Sequence, residues 1–278
     1  MKKMFTIFLA ALMVAALFAG CGSSTAETKA PETTAAPATE AAAPAETEAA
    51  APAFTTIEAG KLIMSTNAAF PPYEMVADDG SFEGIDVEIA GAVAAKLGLE
   101  LVVDDMDFDA ALLAVQQGKS DIVMAGVTVN EDRKMVMNFS DTYSKGVQVV
   151  IVKEGSDVTL DNLGDQMIGT QRGTTGYIYA SGDYGEDHVT AYDNGASAVQ
   201  ALANGQVDCV IIDSAPAEAF VAANPGLAIL DTEYTVEDYA IGMSKDNSAL
   251  LEAVNGALKE LTEDGTIPAI VEKYIPTK

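Results

Sequence analysis

Arginine is scarce in this chain, and one of its two arginines lies where a bound anion can be expected. Arg133 follows Glu131 and Asp132 directly in the stretch AGVTVNEDRKMVMNFS, in a chain that carries 42 acidic residues. The pattern predicts a helix start there, and a cation is slightly unfavourable at the positive end of a helix. Arg133 therefore either pairs with a nearby acid or binds an anionic group through the two parallel N–H donors of its guanidinium.

Two further segments place polar groups at predicted helix starts. The segment GTQRGTTG puts Gly173, Thr174 and Thr175 where free backbone N–H groups attract anions. This segment is not a P-loop, because no Lys-Ser or Lys-Thr pair follows its glycines at the required spacing. Asp213 ends the run VDCVIID, where an aspartate is also a common helix cap. The local alternation points Arg172 the other way, so we predict that it is a surface residue.

The elements that carry these residues are short apolar strands alternating with amphipathic helical segments. The predicted strands cover residues 61–66, 99–103, 121–126, 147–152, 166–170, 207–213, 227–230 and 239–243. Helices are predicted between them, several of which stop at a glycine, and a last helix is predicted over 247–264. This alternation predicts an α/β fold with mainly parallel sheets.

Two of these helix–strand units are alike. Residues 111–126 and 198–213 each read as a helix, a glycine stop, a short polar link and a strand. In open α/β sheets, ligands bind beyond the carboxyl ends of the strands. The two units therefore predict two similar lobes that face one cleft, although repetition of this kind is common in α/β proteins.

The N-terminal residues have the pattern of an export signal. Lys2 and Lys3 precede an uncharged apolar run that is too short to span a membrane, and Cys21 follows small residues. We predict a lipoprotein signal peptide over 1–20 with lipidation at Cys21; the alternative is an ordinary secretory signal with a chance cysteine. Cys209, the other cysteine, is predicted to be a buried core residue, so no disulfide is expected.

Composition sets limits on the rest of the chain. Residues 21–53 comprise Cys21 and a segment that consists almost entirely of Ala, Thr, Glu, Pro and Ser. This segment is predicted to be a disordered linker, which serves either as a flexible tether or as a simple stalk. The whole chain has a formal net charge of −27, which argues against nucleic acid or anionic lipid as a partner.

Seven blocks of the sequence resemble, in order and spacing, the extracellular solute-binding proteins of polar amino acid ABC transporters. They are TNAAFPPYE (66–74), FEGIDVEIA (82–90), residues 106–133, NFSDTY (138–143), GTQRGTTG (169–176), VDCVIID (207–213) and EDGTIPAIVEKYI (263–275). The resemblance covers essentially all of 55–278.

The resemblance implies the periplasmic-binding-protein fold of type II, in which two α/β lobes are joined by two hinge strands. Lobe 1 would comprise 55–143 plus 241–278, and lobe 2 would comprise 147–237. The hinges would fall near Tyr143–Val147 and Glu237–Ile241. No cofactor, metal or catalytic residue is implied, and we expect a monomer.

The resemblance also assigns the backbone of the ligand. A free amino acid needs an anion-binding half and a cation-binding half, both shielded from water and both satisfied. Arg133 matches the family's α-carboxylate ligand, helped by Thr128 and by the backbone N–H of Thr175. Asp213 matches the residue that takes the α-ammonium group, together with the Gly126 carbonyl. An alternative is that Thr128 and Glu131 form a capping box while Arg133 pairs with an acid.

Selectivity for the ligand side chain would come from five further residues: Asn67, Phe70, Glu74, Phe108 and Gln171. The resemblance implies that the two aromatic rings sandwich the ligand side chain, although core packing explains them nearly as well. Position 67 is often acidic in relatives that bind basic or amide amino acids, and here it is asparagine. Glu74 either restores a negative charge to the pocket or faces solvent.

The function implied is hinge-closing capture of a free polar, possibly basic, L-amino acid at the outer face of the bacterial cell membrane. The protein would be lipid-anchored there, or periplasmic, and would deliver its ligand to ABC permease subunits. One alternative is a cyclohexadienyl dehydratase-like enzyme, which shares the fold; the sole histidine, His188, lies in a polar loop without a nucleophile around it. Another is an amino acid-sensing lipoprotein.

Overall fold

A computed structural model describes residues 54–231 and 233–276 of the 278-residue chain. The predicted signal peptide (1–20), the lipidation site at Cys21 and the linker (21–53) lie outside the described residues. Within them, no helix is long and apolar enough to cross a membrane.

Strands and helices alternate along the described chain, as the sequence predicts. The strands are β1 Lys61–Thr66, β2 Ala69–Phe70, β3 Glu74–Val76, β4 Phe82–Glu83, β5 Glu100–Asp105, β6 Ile122–Val123, β7 Met137–Lys153, β8 Ile168–Gln171, β9 Val189–Tyr192, β10 Cys209–Asp213, β11 Leu227–Ile229 and β12 Thr235–Ser244. The α-helices are α1 Ile85–Lys96, α2 Phe108–Gln116, α3 Glu131–Val136, α4 Thr175–Tyr184, α5 Gly195–Ala203, α6 Ser214–Ala223, α7 Ser248–Glu263 and α8 Thr266–Tyr274.

Most of the strands form one sheet in the order β5-β1-β6-β12-β7-β10-β8-β9, with β11 added beside β7. The pairs β1–β5, β1–β6, β10–β8 and β8–β9 are parallel. All pairings made by β7 and β12 are antiparallel. The α/β architecture is confirmed, but the sheet is mixed rather than mainly parallel because two long strands run against their neighbours.

These two long strands, β7 and β12, connect the two groups of parallel strands. The C-terminal part of β12 pairs with β6 at Gly242 and Met243, whereas the second half of β7 pairs with β10. Between these parts, Val236 of β12 lies opposite Val147 of β7, with register shifts at Ala240. The predicted hinges fall within this antiparallel pair; the lobe boundaries remain a prediction.

Helix α7 shows how the sequence pattern produces the packing. Asn247 caps it by accepting a hydrogen bond from the Leu250 N–H at 3.2 Å, as expected for an N-cap. Leu250, Val254 and Leu258 recur every four residues and are at most 3% exposed. The predicted helix over 247–264 is therefore confirmed, with Asn247 and Asp264 as its caps.

One predicted strand is much shorter in the structure. Residues 121–126 were expected to be a strand, yet only Ile122–Val123 pair as β6. The chain then turns at Gly126, whose φ of +55° is a left-handed conformation that favours glycine. After this turn Thr128 forms a β-bridge with Tyr239 of β12, and Ala125, Gly126 and Thr128 line a cavity.

Candidate functional site

A cavity lies between the two predicted lobes, beyond the ends of β1, β8 and β10. The residues that line it are Asn67, Phe70, Glu74, Phe108, Ala125, Gly126, Thr128, Arg133, Gln171, Thr174, Thr175 and Asp213. The volume of this cavity, counted as the space open to the centre of a water molecule, is only about 10 Å³. All ten residues predicted to bind a ligand therefore face one narrow space, although their roles in binding remain a prediction.

Arg133 lies at one end of this cavity and is 7% exposed. Asn130 caps α3 by accepting from the Arg133 N–H at 2.8 Å, so the alternative of a capping box formed by Thr128 and Glu131 is wrong. The guanidinium donates to the Thr128 carbonyl at 2.8 Å and to the Gly173 carbonyl at 3.2 Å. The central carbon of the guanidinium, Cζ of Arg133, lies 5.4 Å from the centre of the Phe108 ring.

The charge of Arg133 is incompletely balanced by these contacts. None of the ion pairs formed by the described residues involves it. Burial lowers the pKa of Arg133, and the negative charge of nearby Glu237 opposes that shift. A guanidinium that is buried among carbonyl groups is suited to bind a carboxylate.

Two threonines stand beside Arg133, one from each predicted lobe. Thr175 begins α4 after the N-cap Thr174, so backbone N–H groups at this helix end face the cavity. The hydroxyl of Thr128 donates to Glu237 Oε2 at 3.1 Å and lies 3.4 Å from the Thr175 hydroxyl. Because a hydroxyl has a single proton, the backbone N–H of Thr128 is the donor it can offer to a ligand.

Asp213 ends β10 and is 8% exposed. Its Oδ1 accepts a hydrogen bond from the Tyr239 hydroxyl, and its Oδ2 accepts from Gln148 Nε2 at 2.8 Å. Burial raises the pKa of Asp213 to about 7, and the charge of Glu237 adds to that shift, while the hydrogen bonds from Tyr239 and Gln148 oppose it. These hydrogen bonds hold the carboxylate in place, and it forms no ion pair with any described residue.

Sequence reasoning missed two residues of the long strands, Gln148 of β7 and Glu237 of β12. They connect Asp213 to Thr128 through hydrogen bonds. Gln148 Nε2 donates both to Asp213 and, at 2.9 Å, to Glu237 Oε2. Glu237 is 5% exposed and lies two residues before the buried Tyr239 on the same strand. Alternate residues of a strand lie on the same face, so Glu237 shares a face with the buried Tyr239. This spacing is the signal in the sequence that could have revealed Glu237.

Aromatic rings form two walls of the cavity. Phe70 and Phe108 are 7% and 5% exposed, and the Phe70 ring stacks on that of Tyr73 with 5.9 Å between centroids. A Cβ atom on Gly126 would lie 2.9 Å from Phe70, so glycine is required there by both space and φ. Both rings line the cavity, and aromatic rings of this kind suit a planar or aliphatic side chain.

The far end of the cavity is acidic. Glu74 is fully buried rather than solvent-facing, and it lies beside Asp86, which is also fully buried in the first turn of α1. Asp86 Oδ2 accepts from the Gly126 N–H at 2.9 Å and from the Tyr143 hydroxyl at 2.8 Å. Sequence reasoning missed Asp86, although it is spaced with Ile89, Ala90 and Val93 on the apolar face of α1.

An amide pair links the predicted lobes at this end. Gln171 Nε2 donates to Asn67 Oδ1 at 3.0 Å, and Asn67 Nδ2 donates to the Met106 carbonyl at 2.9 Å. Both side chains are buried. The pair thereby fixes the distance between the two walls of the cavity.

The remaining candidate residues lie elsewhere. Arg172 is exposed and pairs with Asp193 at 3.4 Å, as predicted. Cys209 is buried, also as predicted, and burial raises the pKa of its thiol to about 12. His188 does not line the cavity; its Nδ1 lies 3.3 Å from the Gln166 carbonyl. Within the described part of the chain, no group of three or more His, Cys, Asp or Glu side chains could hold a metal ion.

Comparisons with known proteins agree with the fold. The model of the bacterial extracellular solute-binding proteins, family 3, matches residues 62–277. A probable histidine-binding protein of Neisseria gonorrhoeae is 32% identical over 218 residues, which is 76% of this chain and 81% of that protein.

Two solved structures are similar over nearly their whole length. The arginine-, lysine-, histidine-binding protein ArtJ of Geobacillus stearothermophilus is 31% identical with a TM-score of 0.75, covering 78% of this chain and 96% of that chain. An ancestral arginine-binding protein bound to glutamine is 38% identical with a TM-score of 0.75, covering 78% of this chain and 99% of that one. These likenesses confirm the predicted type II fold.

Proposed function

The chain belongs to the bacterial extracellular solute-binding proteins of family 3, and on that basis we propose that it captures a free polar L-amino acid in the cavity between Arg133 and Asp213. The observation that supports this proposal is that a buried guanidinium and a buried carboxylate line the same narrow cavity. Each lacks an ion-pair partner among the described residues, and an amino acid brings the complement of both on one carbon atom.

The carboxylate end is supported by donors from both predicted lobes. Arg133 and the Thr128 N–H would approach the ligand carboxylate from one side, and the N–H groups at the start of α4 from the other. The ammonium group would lie between Asp213 and the Gly126 carbonyl. Neutral polar groups alone would leave two ionic groups of the ligand desolvated and unpaired.

The side-chain end favours a basic or amide side chain. Glu74 supplies a carboxyl group, Asn67 and Gln171 supply amides, and Phe70 and Phe108 supply flat apolar walls. Relatives carry names for histidine, arginine and cystine binding, so the family accommodates several polar side chains. A guanidinium, which is flat and cationic, suits both the aromatic walls and the acidic end.

Capture would require the lobes to part and close again. The cavity is too narrow to admit an amino acid as it stands, and direct contacts cross it, including Gln171 with Asn67 and Arg133 with Gly173. Rotation about the β7–β12 pair would open it, and a ligand that contacts both lobes would favour closure. The closed, loaded protein would then deliver its ligand to an ABC permease, held at the outer face of the membrane through lipid on Cys21.

Thermal melting of the purified protein against each of the twenty L-amino acids tests this proposal, followed by calorimetry on those that stabilise it. A ligand at a hundred times its Kd adds about 2.7 kcal/mol of stability. A clear rise is expected for at least one polar amino acid, and at the same ligand concentration the Arg133→Ala variant should gain no more than about 0.9 kcal/mol. Absence of any rise across the panel for the unmodified protein would contradict the proposal.

A further inference from the structure

The acidic end of the cavity contains two carboxyl groups but too few hydrogen-bond donors for two carboxylates. We propose that Glu74 is a protonated carboxylic acid that shares its proton with Asp86, and that a cationic ligand side chain replaces this proton when it binds. The cavity would thus exchange a proton for a cation at Glu74. The inference rests on the proposed function and specifies the chemistry of its side-chain end.

Burial of Glu74 is the first observation. Its side chain has no solvent exposure, and neither Oε1 nor Oε2 has a hydrogen-bond donor among the described residues. An ionised carboxylate in that position would keep neither water nor a donor, which is strongly unfavourable. A neutral acid avoids the charge and carries a proton of its own to donate.

Asp86 supplies the acceptor for that proton. Its Oδ2 already accepts from the Gly126 N–H and the Tyr143 hydroxyl, whereas its buried Oδ1 has no donor among the described residues. The two carboxyl groups lie within hydrogen-bonding reach of each other. A proton on one Glu74 oxygen therefore gives Asp86 Oδ1 the donor that it lacks. Because only Asp86 has donors that stabilise its charge, Asp86 is the ionised partner.

The surroundings of the pair offer no resident cation at this end. The groups that act on Glu74 are its neighbour Tyr73, Asp86 of α1, Asp105 of β5, Tyr143 of β7 and Asp213 of β10. Arg133 lines the same cavity but is engaged with carbonyl groups at the other end.

The directions of the pKa shifts of Glu74 and Asp86 agree with a proton shared between them. Burial first, and then the charge of Asp86, hold the pKa of Glu74 well above its usual range. Burial raises the pKa of Asp86 to about 6, opposed by the hydrogen bonds from Gly126 and Tyr143. These two shifts act in the direction expected if Glu74 keeps a proton and Asp86 accepts it.

The exchange can be written with its charges balanced. The Glu74 O–H bond breaks, its proton passes to solvent, and the oxygen then accepts from the guanidinium of arginine or the ammonium of lysine. The cavity gains one positive charge from the ligand side chain and loses one with the proton. Citrulline, the neutral isostere of arginine, would leave the proton on Glu74 and release none from it.

Titration calorimetry in buffers of different ionisation enthalpy measures the released protons directly. Arginine and citrulline both require Asp213 in its ionised form, so any proton released there is common to the two ligands. We expect arginine at pH 7 to release about one proton more than citrulline. At pH values below the pKa of Glu74, each increase of one pH unit should raise arginine affinity relative to citrulline affinity by up to about tenfold.

Glu74→Gln is the matched variant, because its amide is a neutral isostere of the protonated acid. It should abolish the difference in proton release and weaken arginine binding at least about thirtyfold more than citrulline binding. Equal proton release by the two ligands in the unmodified protein would overturn the inference while leaving amino acid capture intact. Failure of arginine to bind at any pH, where citrulline or glutamine binds, would overturn it as well.

The infrared spectrum of the ligand-free protein gives a readout that needs no ligand. The carbonyl band of a protonated carboxylic acid at neutral pH should be weaker in Glu74→Gln than in the unmodified protein by the contribution of one acid, because Asp213, with a pKa of about 7, contributes to the band in both; equal bands in the two proteins would overturn the inference. If no amino acid binds, the proposed function fails and this band alone decides the state of Glu74. A spectrum without the band would overturn the inference in every case.

Discussion

Both ends of the cavity contain buried ionisable residues, but the two ends differ in how many hydrogen-bond partners those residues have. At the Arg133 end, each buried charge is held by several groups: the guanidinium by two carbonyls, and the Asp213 carboxylate by Tyr239 and Gln148. At the Glu74 end, a buried carboxyl group has no donor except the proton it can share with Asp86. The first end is suited to groups that every amino acid carries, and the second to a side chain whose charge varies.

Removing the cation from the first end should have the largest effect. In Arg133→Ala, the ligand carboxylate would enter a buried site without its partner, which costs roughly 2–5 kcal/mol. Calorimetry should show at least about a thirtyfold weaker Kd for any amino acid the protein binds, whether its side chain is charged or neutral.

Arg172 provides the matched control for that measurement. It is the other arginine of the chain, and it forms only an exposed pair with Asp193. Arg172→Ala should leave the Kd within about twofold. Equal losses in the two variants would show that Arg133 acts through net charge rather than through contact with the ligand.

The ammonium-binding half of the first end should respond next. Asp213→Asn keeps the size and a carbonyl acceptor but removes the charge, and a hydrogen bond to a charged group contributes about 1.5–3 kcal/mol. We expect a loss of about ten- to a hundredfold in affinity for the amino acid. The corresponding 2-hydroxy acid lacks the ammonium group, so its weaker binding should change much less, and a similar loss for both would contradict the assignment.

Some residues of the site could be predicted from the sequence, and others could not. Arg133, Asp213 and Thr175 stand out because scarce charges or helix-start threonines follow apolar strands, and family motifs mark them. Glu237 and Asp86 were missed because each is an acid within a regular element, where solvent exposure is the ordinary expectation. Only the central place of β12 in the sheet and the packing of α1 against the sheet show that these acids are buried.

The main sheet shows the same limit. Alternation of apolar strands and helices was enough to predict an α/β fold, since burial on both faces imposes that pattern. Strand direction in β7 and β12 depends on pairings between residues about ninety apart, such as Val147 with Val236. Local sequence does not encode such pairings.

Ionisation of Asp213 should also appear in the stability of the ligand-free protein. A buried aspartate whose pKa is raised to about 7 favours folding while it is protonated, and that contribution is lost as the pH rises from about 4 to about 7. Urea denaturation at a series of pH values should show the unmodified protein losing stability across this window relative to Asp213→Asn. Parallel curves would contradict the shifted pKa.

The amide pair at the second end should have the smallest effect. Gln171→Ala removes the hydrogen bond to Asn67, and such bonds contribute about 0.5–1.5 kcal/mol. We expect affinity to fall by only about two- to tenfold, chiefly through faster ligand release as the closed form is weakened. Stopped-flow measurement of the release rate checks this, and an unchanged rate would show that the pair does not contribute to closure.

A crystal structure of the protein with its tightest-binding amino acid tests the central claim most directly. The ligand carboxylate should lie about 2.7–2.9 Å from the Arg133 guanidinium, the ammonium group should contact Asp213, and the side chain should point to Glu74. A ligand bound outside this cavity, or bound with its carboxylate away from Arg133, would contradict the account.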